Sequence, residues 1–212
     1  MNPRKEILSV LDKDHLDISA NKGANFIFSM DSKSGKSYQK PKLDFVHMVY
    51  KDPYKKIYEV IAKFEGFEKK YYVSDSGSRA GVVVIKDESI LLVGQYRLLI
   101  NGISWELPGG QVDIDETPKD SAIRECMEEA GIYCNRLNSL IGYHPGMDSF
   151  CNPSYLYYCE DFVEKEKAFQ ANSETVERAW VKLDIAVKMI YSLQIVDAFT
   201  IIGIFSYIHK NK

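Results

Sequence analysis

The chain has 212 residues, 45% of them hydrophobic and 27% charged, with a formal net charge of -3 at pH 7. That length supports a real core without disulfide or metal staples, as one large domain or one domain with an accessory segment. The mild acidity argues against a dedicated nucleic-acid binder, which carries a basic face. Four cysteines at 126, 134, 151 and 159 include no C-x-x-C pair, so a zinc site is not expected. The longest apolar stretch, Ile195 to Ile208, contains Asp197 and is too short to span a bilayer. Met1-Asn2-Pro3-Arg4-Lys5-Glu6 leads into no apolar core of signal-peptide length. The expectation is a cytoplasmic protein with reduced thiols and no membrane partner.

In chain order, residues 1–42 are polar and irregular and read as an extension of unknown role. The lysines at 33, 36, 40 and 42 read as a solvated loop. Gly35-Lys36-Ser37 has the ending of a phosphate-binding P-loop, but Met30 stands where that pattern needs its first glycine. Residues 43–76 form a β-rich segment. Leu43 to Tyr50, Tyr54 to Phe64 and Lys69 to Ser74 carry the β-branched and aromatic residues of strands. From 77 to 212 a second domain is expected. Ala80-Gly81-Val82-Val83-Val84-Ile85 reads as a buried strand, which Lys86-Asp87-Glu88 turns into Ser89 to Tyr96. A loop and a short strand reach Trp105-Glu106-Leu107-Pro108-Gly109-Gly110, and one helix follows over 118–130. Later strands are predicted near 137–143, 154–161 and 177–182. A helical segment over 184–208, broken near Ser192-Leu193-Gln194, closes the chain. Strands with a few helices and no regular βαβ alternation give an α+β class.

The helix at 118–130 carries the chemistry. Thr117 is a good N-cap, Pro118 sits where its missing N–H costs nothing, and Asp120 can close a weak capping box. Gly131 is placed to end the helix in a left-handed conformation. At 100° per residue, Ala122, Ile123, Cys126, Met127 and Ala130 share one arc, and Glu125, Glu128 and Glu129 share the opposite one. Like charges at i,i+3 and i,i+4 destabilise a helix by about 0.2 to 0.5 kcal/mol per pair, and these lie at the disfavoured C-terminal end of the dipole. An acidic face is usually just solvated. Here a glycine-rich approach, Leu107-Pro108-Gly109-Gly110, can turn backbone carbonyls toward a cation that relieves the repulsion. Glu116 can pair with Arg124 and orient the acidic face.

Gly110, Glu116, Arg124, Glu125, Cys126, Glu128, Glu129, Gly131 and Ile132 match G-x5-E-x7-R-E-U-x-E-E-x-G-U, where U is bulky and apolar. Cys126 is a small hydrophobe at an apolar position. This resembles the Nudix box. The resemblance implies an α/β/α sandwich around a mixed sheet, here with an N-terminal β extension. It implies hydrolysis of a nucleoside diphosphate linked to another moiety, with Mg²⁺ or Mn²⁺ as cofactor. By position it makes Glu125 and Glu129 the principal metal ligands, Glu128 a further ligand or one acting through water, and the Gly109 carbonyl the last ligand.

Outside the box, Asp52-Pro53-Tyr54, Tyr71-Tyr72-Val73, Gln95-Tyr96-Arg97, Trp105-Glu106 and Asp197-Ala198-Phe199-Thr200 occur in an order that resembles the ADP-ribose pyrophosphatase branch, over roughly residues 48 to 208. That likeness implies ADP-ribose as substrate, cleaved to AMP and ribose 5-phosphate, with Gln95, Arg97, Trp105 and Glu106 as substrate contacts. Each has a plainer role open to it. Arg97 suits a bidentate phosphate contact or a structural ion pair, Trp105 a stacking or a packing role, and Glu106 a ribose or base contact or a rim charge. His144-Pro145 is either substrate-facing or a simple turn, and Cys151 has no neighbour in sequence that would activate it. In the branch the general base comes from an acidic loop before a late strand. Glu174 matches it, while Asn172 and Ser173 depart from the pattern, which leaves open the alternative that Glu174 is a third-site metal ligand and Glu128 activates the water. The resemblance further implies a homodimer that exchanges strands from residues 43–74. Two other readings stay open: a hydrolase of another nucleotide, such as a dinucleoside polyphosphate or a modified triphosphate, and a sensor that binds nucleotide sugars without cleaving them.

Overall fold

The computed structural model describes residues 41–165 and 175–211. The loop expected around residues 30–37, and most of the expected extension, lie outside them. The strands in chain order begin with β1 (Lys42–Lys51), β2 (Lys56–Phe64), β3 (Phe67–Asp75), β4 (Arg79–Lys86) and β5 (Ser89–Arg97). β6 (Gly102–Glu106) and β7 (Gly109–Gln111) follow, then α1 (Pro118–Ala130). The chain continues with β8 (Ile132–Tyr143), β9 (Phe150–Cys151), β10 (Ser154–Glu164) and β11 (Thr175–Lys182), and ends with α2 (Leu183–Tyr191) and α3 (Ala198–Lys210).

Two units divide these elements. The first holds the described residues up to Gly77 together with His144–Pro153. Its strands β1, β2 and β3 are antiparallel, and β9 pairs parallel to β3 through Ser74 and Asp75. Tyr58, Val60 and Val73 alternate to one face and meet Cys151 in a small core. Residues 144–153 thus cluster with the N-terminal strands and not with the 77–212 stretch to which the sequence assigns them. Backbone pairing of Phe150 and Cys151 with Ser74 and Asp75, and the packing of Cys151 in that small core, hold the segment there.

The second unit is built on a sheet of order β11-β5-β4-β10-β8. β10 runs parallel to β4, and the other neighbours are antiparallel. Both faces are covered. Val82 and Val84 of β4, with Leu91 and Val93 of β5, lie under Ala122, Cys126 and Ala130 of α1. The alternate residues Val83, Ile85, Ile90 and Leu92 pack with Ala186 of α2 and with Phe199, Ile204 and Tyr207 of α3. A sheet buried on both sides explains why β4 reads as a continuous apolar run. The layers are helix, mixed sheet, helix, as expected. Three thiols, Cys126 of α1, Cys134 of β8 and Cys159 of β10, share the first of these cores. The Sγ atoms of Cys126 and Cys134 lie 3.9 Å apart, and all four cysteines are free.

One irregularity places the site. β4 and β5 pair only beside their turn, at Ile85–Ile90 and Lys86–Ser89. Farther on they part, β7 lies against Arg79–Gly81 of β4, and β6 lies against Val93–Arg97 of β5. The segment from Gly102 to Gln111 therefore wedges the sheet open. Gly109 and Gly110 belong to a short strand here, where the sequence reading has a loop, because glycine lets the two backbones close up. A methyl group on Gly109 would fall 2.5 Å from the Ala80 carbonyl oxygen and 2.6 Å from Gly81 Cα.

Candidate active site

Local rules set the carboxylates in place. The Thr117 side chain accepts from the Asp120 N–H, and Pro118 opens α1. Asp120 does not complete a capping box; its Oδ2 accepts from the Thr117 hydroxyl at 2.6 Å. Gly131 stops the helix at φ 65, donating its N–H to the Met127 carbonyl at 3.0 Å. The last turn carries no basic residue, so the charge balance of the acidic face falls to Arg124. Its guanidinium donates to Glu116 at 2.8 and 2.9 Å, to Glu125 at 2.8 Å and to Glu128 at 3.2 Å, and also to the Gln111 carbonyl at 3.2 Å. The Glu116–Arg124 pair anticipated from the sequence is present. It holds the Glu116 carboxyl below its usual range.

Glu129 has different partners. One carboxylate oxygen accepts the Gly109 N–H at 2.8 Å, and the other accepts from the Gln95 amide. The Gln95 carbonyl in turn accepts from Arg97. Arg97 grips Glu106 with Nε at 2.8 Å and Nη2 at 2.7 Å. Arg79 reaches the same carboxylate at 3.4 Å and Asp197 at 3.5 Å. A continuous polar relay thus runs from the last turn of α1 across β5, β6 and β4 to the start of α3. Glu125 lies directly over Gly110, where an added methyl group would sit 2.4 Å from its Oε1.

Burial dominates the electrostatics. It pushes the Glu129 carboxyl up to about 7, with the Glu125 charge adding to the rise and the Gly109 N–H, Gln95 and Arg79 opposing it. Burial also raises Glu125, against the pull of Arg124. Two desolvated, mutually repelling carboxylates are what a hard dication reverses, so the donor set fits Mg²⁺ or Mn²⁺. Among the described residues no three His, Cys, Asp or Glu side chains form a ready-made metal cluster. Glu128 stands apart on Arg124, its side chain 58% exposed. Such openness suits Mg²⁺, which takes one or two carboxylates and fills its shell with water and substrate phosphates.

A pH dependence follows. A group raised in the fold keeps a proton that the unfolded chain releases near 4.5, so stability falls as pH rises between about 4.5 and 7. Without metal, Glu129→Gln should remove a loss on the order of 3 kcal/mol over that window. Melting in EDTA from pH 5 to 8 checks it; parallel profiles for the two proteins count against the raised carboxyl.

A family model for the NUDIX domain matches residues 75–196. The chain belongs to this family. It is a Nudix hydrolase of the pyrophosphohydrolase class that resembles ADP-ribose pyrophosphatase. It is 32% identical over 127 residues to a CMP-5'-(N-acetyl-N-hydroxy-3-aminopropyl)phosphonate hydrolase of Streptomyces rubellomurinus, covering 59% of this chain and 61% of that one. An ADP-ribose pyrophosphatase of Bacillus subtilis is 27% identical over 133 residues, covering 62% and 72%. A crystal structure of an ADP compounds hydrolase superposes with a TM-score of 0.70 at 19% identity, covering 82% of this chain and 95% of that one.

Beyond the Nudix box, the outer residues divide. Gln95, Arg97 and Glu106 come together on one face of the β5–β6 pair. Glu106 is 2% exposed and held by two arginines, so it is not a rim charge. Trp105 alternates to the opposite face, packing toward the α2–α3 core and lining a groove with Ile100, Ile103, Leu193, Gln194 and Val196. His144 and Pro145 fall in the first unit, and Cys151 is buried, its thiol raised to about 11 by that burial. Glu174 lies outside the described residues. The sequence reading missed Arg79, whose signal was a charged residue at the head of an apolar strand, and the part played by Thr200.

Proposed function

We propose that this Nudix hydrolase cleaves the diphosphate linkage of a nucleoside diphosphate joined to a sugar, with ADP-ribose giving AMP and ribose 5-phosphate. The observation that carries the reading is the pair of partly buried carboxylates, Glu125 and Glu129, set against the Gly109–Gly110 strand at the end of a relay through Gln95 and Arg97. Glu125, Glu129 and the Gly109 carbonyl would hold Mg²⁺ or Mn²⁺, with Glu128 as a further ligand or one acting through water. When bound, such an ion neutralises the diphosphate oxygens and lowers the pKa of a coordinated water. The chain's own residues do the positioning on which phosphoryl transfer depends. Glu116 and Arg124 keep Glu125 and Glu128 aimed. Gln95 holds the Glu129 carboxylate, and Arg97 offers its remaining N–H groups to a phosphate. The base is Glu174 or, failing that, Glu128.

The resemblance to ADP-ribose pyrophosphatase supports the substrate. The CMP-phosphonate relative makes a CMP-linked compound the right competitor. Product chromatography should show ADP-ribose cleaved faster than ATP, dGTP or a CMP-linked phosphonate. A clear preference for a triphosphate overturns the reading, and binding without any cleavage makes the chain a sensor.

A homodimer belongs to the same proposal. Removing residues 1–74 takes away β1, β2 and nearly all of β3, and should abolish both dimerisation and activity although the whole Nudix box remains. A truncated, monomeric and fully active core, seen by light scattering and assay, speaks against it.

A further inference from the structure

Helix α3 starts with Asp197 as its N-cap, whose Oδ2 accepts the Thr200 N–H at 2.8 Å. An aspartate there is ordinary. Thr200 is less so, because it is completely buried and its hydroxyl needs partners for both of its roles. The hydroxyl donates to the same Asp197 oxygen at 2.7 Å. It accepts the N–H of Leu107 at 2.9 Å, across 93 positions of sequence.

Leu107 stands two residues before Gly109, and the packing around this bond is close. A methyl group on Gly203 would fall 2.5 Å from Leu107 Cδ1. One on Gly81, the strand partner of Gly109, would fall 2.6 Å from the Phe199 ring. The Arg79 guanidinium lies 4.3 Å over that ring and pairs with Asp197. The Pro108 carbonyl accepts the Val82 N–H at 3.1 Å. Consecutive residues of the glycine-rich segment are therefore held from different elements: Leu107 by α3, Pro108 by β4, and Gly109 by Glu129 of α1.

We propose that Thr200 is a positioning residue for the cation site. Its hydroxyl sets the peptide direction at Leu107, and through Pro108 it sets the aim of the Gly109 carbonyl toward the ion that Glu125 and Glu129 share. The inference rests on the metal reading given under Proposed function. A threonine serving stability alone would leave metal affinity unchanged.

The test is Mn²⁺ binding followed by electron paramagnetic resonance on the full chain, without substrate. Thr200→Ser keeps the hydroxyl and should bind within about twofold of the parent. Thr200→Val removes it and should bind about tenfold more weakly or worse, the scale of a lost outer partner at a metal site. Turnover of the valine variant should recover at saturating Mn²⁺, which a general loosening of the fold would not allow. Circular dichroism checks folding, and if valine is not accommodated, Thr200→Ala takes its place in the same comparison. Unchanged affinity in the hydroxyl-less variant overturns the inference alone. No Mn²⁺ binding by the parent chain overturns the metal reading and the inference with it.

Discussion

Glu129→Gln should lower turnover of a diphosphate substrate at least about a hundredfold at saturating Mg²⁺, the scale of losing a key electrostatic contact. Size and shape are kept, and the glutamine oxygen can still accept the Gly109 N–H, so the strand it touches stays in place. The charge is what disappears. In the metal-free protein that charge is a burden, as the rise of its carboxyl to about 7 indicates. Above pH 7 the variant should therefore melt no lower than the parent in EDTA, while Mg²⁺ raises its melting temperature far less. Near-normal turnover in Mg²⁺ would falsify the assignment of this carboxylate to the reaction.

A second large loss is expected at the two glycines beside it, for two different reasons. At Gly109 an added methyl group runs into backbone, at 2.5 Å from Ala80 O and 2.6 Å from Gly81 Cα. β7 has to leave β4, and the N–H that holds Glu129 goes with it. Gly109→Ala should cost about 3 kcal/mol, the upper range of overpacking, and eliminate activity. At Gly110 the three atoms nearest the methyl group all belong to the end of the Glu125 side chain, the first at 2.4 Å. A carboxylate can swing aside, so Gly110→Ala should melt within a few degrees of the parent, as a shift of about 1 kcal/mol allows. With Glu125 displaced, metal binding should still fall by about tenfold or more. Calorimetry and Mn²⁺ titration of the two variants separate the cases. Equal stability losses with unchanged metal binding would contradict this account.

Much of this site is legible in the sequence because it depends on local rules. Thr117, Pro118 and Gly131 delimit α1, and a 100° periodicity separates its apolar arc from its acidic one. Spacing alone foretells the pairing of Glu116 with Arg124. Legibility ends where strands choose partners. Nothing local says that β4 and β5 part after two residue pairs, so Gly109 and Gly110 read as loop although they are strand. Glu106 is a charged residue that is 2% exposed, and its burial makes sense only once Arg97 and Arg79 arrive from β5 and β4. Trp105, its neighbour, turns to the other face by simple alternation, a division that is hidden until the sheet is known. Helix existence was readable for 184–208, with its break at Ser192-Leu193-Gln194, because both halves are strongly apolar.

The three thiols between α1 and the sheet make the chain its own stopwatch. The Cys126 thiol beside Cys134, the Cys134 thiol beside Cys159, and burial hold Cys134 and Cys159 above the usual thiol range, so in the closed fold neither offers a thiolate to an alkylating reagent. Cys126 sits on the same helix as Glu125 and Glu129 and is 0% exposed. Its labelling by iodoacetamide requires α1 to lift from β4 and β8. The rate of that labelling times the spontaneous detachment of α1, and a cation bound to its carboxylates on the opposite arc should slow it.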